Sequence, residues 1–328
     1  MRRVVYRRHG DPAEVLEVVE APDPVPGPGE VRVRLKAMTI NPADLLAIEG
    51  RYGAAPIPLP ATPGVGAWGI VDAVGEGVTR LAPGDAVLPM GGGLWADTVI
   101  VPERAAPRAP AGADPEQAAL MRANPATAEI MLTGIVALNP GDWVVQNAAN
   151  SAVGRLVVRF AREKGLRTVN IVRRADVVEG LTADGADAVI VDDGAGDVTA
   201  AIAAVTGASP PRLAFDAIGG RATATLVAAM APGGTVAVYG LLSGEAPQVE
   251  ARDLVFRDVR VRGFWLAAWY AAATPQAIRD LHALLAERLA RGETHQAVEA
   301  RYPLSRVREA VAHAARAGRG GKIMLTGD

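Results

Sequence analysis

The sequence predicts an α/β protein with a doubly wound parallel sheet and a second, β-rich domain. Three observations lead to this fold class. Strand-like and helix-like patterns alternate from residue 143 to about 262, a turn of small residues follows the first of these strands, and residues 1–118 contain short β-rich runs between Gly/Pro turns. Regular alternation is typical of a parallel sheet covered by helices, and short strands between such turns indicate a barrel-like β domain.

Residues 143–154 (WVVQNAANSAVG) are the stretch around which the parallel sheet is predicted to be organised. A strand, a small-residue turn and a helix start are the parts with which a Rossmann unit presents backbone N–H groups to a pyrophosphate. Aligning G-x-G-x-x-G on Gly154 puts Ala149 and Ser151 where glycines are expected. Both are small, and the Ser151 hydroxyl can cap the helix or bind phosphate. The alternative, a helix capped by Asn150 or Ser151 without a ligand, stays open.

Two arginines follow the next predicted strand, 168–172 (TVNIV), at about the separation of a βαβ unit. That strand end meets the adenosine ribose, where a carboxylate would indicate NAD. Arg173 and Arg174 can instead bind a 2′-phosphate, which indicates NADP. The alternative is a solvated charged turn, but together with the preceding turn the pair favours NADPH as the cofactor.

The other elements follow from periodicity and from cap and turn residues. A first strand is predicted around Val4–Tyr6, and Asn41 and Asp114 are predicted helix caps. Further strands are predicted at 16–20, 30–37, 70–74, 86–88, 98–101, 143–147, 188–191, 212–215, 235–239, 259–263 and 322–326. Helices are predicted at 42–50, 115–132, 151–164, 177–183, 197–205, 222–230 and 274–291.

Composition excludes several classes of function. The 328 residues are enough for two domains, and the formal net charge of −2 gives no basic field for nucleic acid. The chain has no cysteine, so thiolate catalysis, disulfides and Cys-zinc sites are excluded. The four histidines, which show no metal-ligand spacing, are His9, His282, His295 and His313. With no bilayer-spanning run and no signal-peptide pattern, we expect a soluble, cytoplasmic protein without a membrane partner.

Six runs give the chain a family resemblance that extends over essentially its whole length. They are INPADLLAIEGRYG (40–53), ANPATAEIML (123–132), VVQNAANSAVG (144–154), RTVNIVR (167–173), YGLLSG (239–244) and RGFWL (262–266). With these runs the chain resembles the medium-chain dehydrogenase/reductase superfamily, and within it the mitochondrial-type 2-enoyl thioester reductases. The resemblance implies a GroES-like catalytic domain that begins at 1–118 and resumes at 269–328, and an NADP-binding Rossmann domain at 119–268.

The same resemblance implies a zinc-free enzyme and a catalytic tyrosine. Zinc-dependent alcohol dehydrogenases carry Cys and His ligands at the positions of Asn41 and Val65, and this chain has neither ligand at those two positions. Tyr52 matches the family's catalytic tyrosine, whose phenol can hold the enolate oxygen formed when an α,β-unsaturated thioester is reduced. The alternative for Tyr52 is a surface loop tyrosine without a catalytic role.

The resemblance also implies a set of cofactor contacts. The matched positions are Asn124 and Thr127 near the nicotinamide, Asn150, Ser151, Ala152 and Val153 at the pyrophosphate, Arg173 and Arg174 at the 2′-phosphate, Tyr239, Gly240, Leu241 and Leu242 along the nicotinamide half, Phe264, Trp265 and Leu266 at the carboxamide, and Lys322 near the C-terminus. Structural alternatives are a capping role for Asn124, a helix position for Thr127, a hydrophobic core for residues 264–266 and an edge-strand charge for Lys322.

Two departures from the family pattern concern the substrate. Gly66 stands where the family usually has a glutamate, and Trp68 adds bulk near the expected active-site wall. Three functions therefore compete: an NADPH-dependent 2-enoyl thioester reductase in fatty acid metabolism, a quinone oxidoreductase or general enone reductase of the same fold, and a non-catalytic NADPH-binding protein. In each case the resemblance implies a homodimer formed through residues 259–263 or their neighbours.

Overall fold

The computed structural model describes residues 1–53, 55 and 57–327. The chain divides into two compact units, the first containing Met1–Ala123 and His282–Asp328, the second containing Asn124–Leu281. The sequence predicts divisions after residues 118 and 268, so both observed divisions fall later in the chain. The first coincides with the start of a helix at Asn124, and the second lies inside the long helix Pro275–Ala290. Among the described residues, every helix is too short or too polar to cross a bilayer.

Strands and helices are numbered in chain order. The strands are β1 (Arg2–Val5), β2 (Glu17–Glu20), β3 (Glu30–Thr39), β4 (Ala67–Val74), β5 (Ala86–Val87), β6 (Thr98–Pro102), β7 (Trp143–Gln146), β8 (Arg167–Val172), β9 (Ala188–Val191), β10 (Leu213–Asp216), β11 (Thr235–Val238), β12 (Arg260–Gly263), β13 (Val298–Pro303) and β14 (Lys322–Thr326). The helices are α1 (Pro12–Val15), α2 (Pro42–Ile48), α3 (Pro115–Leu120), α4 (Asn124–Gly134), α5 (Ala152–Glu163), α6 (Val178–Asp184), α7 (Val198–Thr206), α8 (Arg221–Ala229), α9 (Ala251–Arg257), α10 (Leu266–Ala272), α11 (Pro275–Ala290) and α12 (Val307–Ala315).

The second unit is a doubly wound parallel sheet. Its six strands lie in the order β12-β11-β10-β7-β8-β9, and each neighbouring pair is parallel. The strand order reverses between β7 and β10. Ligands of such sheets bind outside the carboxyl ends of the strands at this reversal. The fold therefore places the turn after β7 at the expected binding edge.

The first unit is β-rich and is organised around β3. This strand alternates buried and half-buried residues, with Val31, Val33 and Leu35 in the core, as expected for a strand with one face covered. It pairs with β4, β6 and β14, and the main strand order is β13-β14-β3-β4-β5. Since β14 lies between β13 and β3, the alternative that Lys322 is an edge-strand charge is wrong.

Several predicted elements differ from the structure for local reasons. The region predicted as one helix at 115–132 consists of α3 and α4, because Pro125 has no N–H to donate and fits only the first turn of a new helix. The sequence analysis missed α1, α9, α10, α12 and β13. All but β13 and α12 are short helices of four or seven residues, which give little periodicity to detect.

Candidate functional site

The turn after β7 has the form of a phosphate-binding site. Ser151 precedes α5 in extended conformation, and its hydroxyl accepts a hydrogen bond from the Gly154 N–H at 3.1 Å. The first N–H groups of a helix have no partner within the helix, so those of Ala152 and Val153 point toward the helix N-terminus, where an anion is stabilised. Ala148 takes the positive φ of 47° that glycine usually supplies in such a turn.

Gly154 is the one fingerprint position at which only glycine fits. A Cβ there would lie 2.4 Å from the Ala149 carbonyl oxygen and 2.7 Å from its Cα. Helix α5 therefore approaches the turn closely, and the Gln146 side-chain amide fastens it by donating to the Gly154 carbonyl at 2.8 Å. The same amide donates to Asn170 on β8 at 2.8 Å. The strand end, the helix start and the neighbouring strand are thus one hydrogen-bonded unit.

A second buried network, which the sequence analysis missed, supports the turn from the side of β10. The Asn147 amide donates to the Asp216 carboxylate at 2.7 Å, and its carbonyl oxygen accepts from the Ala217 N–H at 2.8 Å. The Asp216 carboxylate also accepts from the Thr223 hydroxyl at 2.6 Å. Asn147 directly follows β7, and Asp216 is the last residue of β10. A polar residue at the end of an apolar strand is the only sequence signal that points to them.

Arg173 and Arg174 follow β8 at the carboxyl edge of the sheet, beside the end of β7, with which β8 pairs in parallel. Both are exposed. Arg174 lies 3.1 Å from the Asp176 carboxylate, whereas Arg173 makes no ion pair within the described residues. Both guanidinium groups are thus open to solvent at this edge of the sheet, and Arg174 already has a carboxylate partner.

Tyr239 follows β11 and directs a buried hydroxyl toward the turn. Burial raises the pKa of this phenol, the Ser151 side chain lowers it and the Asp216 carboxylate raises it further, so the phenol remains an O–H donor. In the described part of the chain the hydroxyl has no partner at standard hydrogen-bond geometry, although Ser151 is near enough to act on its pKa. Gly240 comes next, and a Cβ there would lie 2.5 Å from the Ala217 carbonyl oxygen.

The remaining predicted contacts of the second unit occupy three neighbourhoods. Leu241 and Leu242 are 47% and 62% exposed, and Trp265 is 43% exposed, so apolar surface is open in the loops after β11 and β12. Phe264 packs on the core cluster that contains Leu156 and Phe160, the arrangement described by the hydrophobic-core alternative for this residue. Asn124 begins α4 and is buried, Thr127 is half-buried on the same helix, and Leu266 begins α10.

These features fit a dinucleotide. A helix N-terminus capped by Ser151, a glycine that admits close approach, and a buried tyrosine hydroxyl without a hydrogen bond of standard geometry all occur at the sheet reversal. Pyrophosphate is bound by such N–H groups. The donors present therefore match the group that the sequence predicts.

Tyr52 belongs to the first unit and lies in a turn between two glycines of positive φ, Gly50 at 76° and Gly53 at 90°. It is half-buried. The turn follows directly from the C-terminal end of α2, since Arg51 donates its N–H to the Leu46 carbonyl at 2.8 Å. Glycines are needed at these positions because other side chains rarely adopt positive φ.

A buried charged cluster holds the other end of α2. The Lys322 ammonium donates to the Ile40 carbonyl at 3.0 Å and to the Asn41 side-chain oxygen at 2.8 Å. Asp44, in the first turn of the helix, accepts from the Asn41 N–H at 2.8 Å. The predicted capping residue Asn41 thus precedes the helix as expected, but its side chain is directed to Lys322 and Thr39.

The cluster has perturbed acid–base properties. Burial raises the pKa of Asp44 to about 6, although the Asn41 N–H and the Lys322 charge oppose the rise. Burial lowers the pKa of Lys322 to about 8, and the Asp44 carboxylate opposes this fall. The two charges therefore stabilise each other, as buried ions of opposite sign do.

The positions that depart from the family pattern are tightly filled. A Cβ at Gly66 would lie 2.6 Å from the Thr39 hydroxyl, so a glutamate would require this region to move. Trp68 packs against a small core cluster that includes Leu120 and Met324. Val65 is exposed, and the described residues contain no group of three side chains able to hold a metal.

Comparison with known sequences assigns the chain to a family. Residues 27–111 match the model "alcohol dehydrogenase GroES-like domain", and residues 152–287 match "zinc-binding dehydrogenase". The mitochondrial enoyl-[acyl-carrier-protein] reductase of Bos taurus is 35% identical over 299 residues, which are 89% of this chain and 80% of that protein. The Homo sapiens protein of the same name is 36% identical over the same shares.

Comparison with solved structures gives the same fold. A candidate NADPH:quinone reductase from Bacillus thuringiensis superposes with a TM-score of 0.92 at 31% identity, covering 99% of this chain and 98% of that one. The Escherichia coli quinone oxidoreductase complexed with NADPH has a TM-score of 0.89 at 24% identity, covering 99% of this chain and all of that one. At this identity the second likeness concerns the fold.

The chain belongs to the medium-chain dehydrogenase/reductase superfamily, with a GroES-like domain and a parallel-sheet Rossmann domain. It is an oxidoreductase of this superfamily, and its relatives include enoyl reductases. The predicted superfamily and fold class are confirmed. Although one family model is described as zinc-binding, the two positions matching zinc ligands are Asn41 and Val65.

Proposed function

We propose that the chain reduces the C=C bond of a 2-enoyl thioester with NADPH. The observation that carries this proposal is the 35–36% identity, over nearly nine tenths of the chain, to proteins named enoyl-[acyl-carrier-protein] reductase. The capped helix start after β7 and the tyrosine turn after α2 supply the two kinds of chemical group that such a reaction needs: donors for a phosphate and a phenolic hydroxyl.

The pyrophosphate is held in this proposal by the N–H groups of Ala152 and Val153 beside Ser151. Arg173 binds the 2′-phosphate, because a guanidinium suits bidentate phosphate binding, and Arg174 does so after exchanging its contact with Asp176. When the cofactor binds, the buried Tyr239 hydroxyl gains a polar group of the dinucleotide as its hydrogen-bond partner. The remaining matched residues, including Asn124, Thr127 and Lys322, keep the roles that the family resemblance implies.

The tyrosine acts on the substrate. NADPH, when bound, supplies the hydride that is added to Cβ of the enoyl thioester. The π-electron pair then moves to the thioester carbonyl oxygen, and the Tyr52 hydroxyl donates a hydrogen bond to this enolate oxygen. A proton is added to Cα as the carbonyl re-forms, with the phenol or a water as its source. The hydride and the proton together saturate the double bond.

A quinone or general enone reductase is the second candidate. It is favoured by the 31% identity and TM-score of 0.92 to the Bacillus thuringiensis structure. Gly66 and Trp68 also depart from the enoyl reductase pattern near the expected active-site wall. Such an enzyme uses the same cofactor but depends less on Tyr52.

One experiment separates these functions. NADPH oxidation is followed with crotonyl-CoA and, in parallel, with a simple quinone, and both are repeated with NADH. The proposal expects turnover of crotonyl-CoA with a preference for NADPH. Turnover of the quinone alone would contradict the proposal and favour the second candidate.

We further propose a homodimer formed along β12. This strand is the last in the parallel sheet, and nearby α9 exposes Val255 and Phe256, which are 70% and 83% exposed. An open strand edge beside exposed apolar side chains suits pairing with a second copy. Light scattering at working concentration tests this, and a monomer would refute it.

A further inference from the structure

An N-terminal segment, residues 6–10, contacts the chain on both sides of Tyr52. Before the tyrosine, the Gly10 N–H donates to the carbonyl of Ile48, the last residue of α2, at 3.2 Å. After it, the N–H and carbonyl of Tyr6 exchange hydrogen bonds of 2.9 and 3.0 Å with those of Ala61. The N-terminal segment therefore holds the chain at Ile48, four residues before Tyr52, and again at Ala61, nine residues after it.

His9 makes the side-chain contact of this segment with α2. Its Nδ1 lies 3.2 Å from the Ile48 carbonyl oxygen. Because a carbonyl only accepts hydrogen bonds, Nδ1 carries the proton in this contact. The Ile48 carbonyl is one of the last four of the helix, which have no partner within it. His9 and Gly10 thus satisfy the end of α2 from outside.

The His9 ring also fills the space beside Gly50. A Cβ on Gly50 would lie 2.9 Å from Cγ of the ring, so the imidazole packs directly against the residue where the chain leaves the helix. On its other side the ring meets the buried Tyr6, with ring centroids 5.8 Å apart. The ring is therefore wedged between the core and the turn, two residues before Tyr52.

We infer that His9 is a positioning residue that holds the Tyr52 turn in its catalytic place. This inference rests on the proposed function, because it acts through the Tyr52 hydroxyl. Misplacing a catalytic group by about 1 Å lowers turnover by as much as about a hundredfold. Loss of the His9 contact is therefore expected to lower kcat while leaving the affinity for NADPH unchanged.

A double-mutant cycle tests this. His9→Ala, Tyr52→Phe and the double variant are assayed with crotonyl-CoA at saturating NADPH, and NADPH affinity is measured by quenching of tryptophan fluorescence. His9→Asn retains a donor near the position of Nδ1, and His295→Ala removes an exposed histidine of the same unit as a control. Thermal unfolding of each variant identifies any general loss of structure.

The expected result is a loss of about tenfold in kcat for His9→Ala, partial rescue in His9→Asn, and a double variant no slower than Tyr52→Phe alone, since residues acting as a unit are non-additive. If Tyr52→Phe is slow but the two losses multiply, or if kcat falls only in proportion to unfolding, the inference is overturned while the proposed function stands. If Tyr52→Phe turns over normally, the proposed function fails, and the inference with it.

Discussion

The turn after β7 and the turn that carries Tyr52 are built in opposite ways. The first is closed by near neighbours in sequence, since Gln146 and Ser151 each bond to Gly154, and the Asn147–Asp216 bond supports it from β10. The second follows the end of α2, which is held from outside the helix by His9 and Gly10, and the start of the same helix is held by Lys322. A phosphate site of backbone N–H groups can be encoded locally, whereas a single reactive side chain depends on distant contacts to be placed.

The largest effect is expected from removing the Lys322 charge. Lys322→Met leaves Asp44 buried without its cation, and uncompensated buried charges destabilise proteins by about 3 kcal/mol or more. Urea unfolding measures this loss. The double variant with Asp44→Asn removes both charges and is expected to recover most of the stability. A single variant as stable as the parent would show that α2 does not depend on this distant contact.

Gly154→Ala tests the local turn. Its Cβ would lie 2.4 Å from the Ala149 carbonyl oxygen, and such overpacking is expected to destabilise the second unit by about 2 kcal/mol and to weaken NADPH binding. Unfolding and fluorescence titration measure the two effects. Gly180→Ala is the control, because a Cβ there meets only Arg155 side-chain atoms at 3.8 and 3.9 Å. Equal effects in both variants would contradict the close approach.

Arg173→Ala is expected to change cofactor choice without changing fold. Loss of one charge-assisted hydrogen bond, worth about 1.5 kcal/mol, weakens NADPH binding by about tenfold and leaves NADH unaffected. The ratio of kcat/KM for the two cofactors measures this. Arg279→Ala removes an exposed arginine of α11 as a control. An unchanged ratio would show that Arg173 does not select the cofactor and belongs to a solvated charged turn.

Stability is also expected to depend on pH through the Asp44–Lys322 cluster. Because the pKa of Asp44 is raised in the folded state, the folded protein binds more protons than the unfolded chain between about pH 4 and 6. The unfolding free energy therefore falls as pH rises through this range. Because the pKa of Lys322 is lowered in the folded state, the unfolded chain binds more protons than the folded protein between about pH 8 and 10.5. The unfolding free energy therefore rises with pH through this range. Urea midpoints across this range should flatten in the Asp44→Asn, Lys322→Met double variant.

The sequence could predict features that depend on neighbouring residues, but not the contacts between distant ones. Strand β9 and strand β14 have the predicted bounds, and Gly154, Ser151 and Arg173 lie at the edge where the alternation places them. The buried bonds of Asn147 with Asp216, 69 residues apart, and of Lys322 with Asn41, 281 apart, have no local pattern. Such contacts follow only from the folded arrangement of the strands.

In the proposed reaction the Tyr52 hydroxyl holds the enolate oxygen, and Tyr52→Phe removes this group alone. Its turnover of crotonyl-CoA is compared with that of the parent and of the control Tyr302→Phe. Tyr302 lies on β13, and its hydroxyl contacts His313 on α12. We expect a loss of about a hundredfold or more in kcat for Tyr52→Phe, with NADPH affinity unchanged and kcat of Tyr302→Phe near that of the parent. Turnover of Tyr52→Phe equal to that of the parent would contradict it.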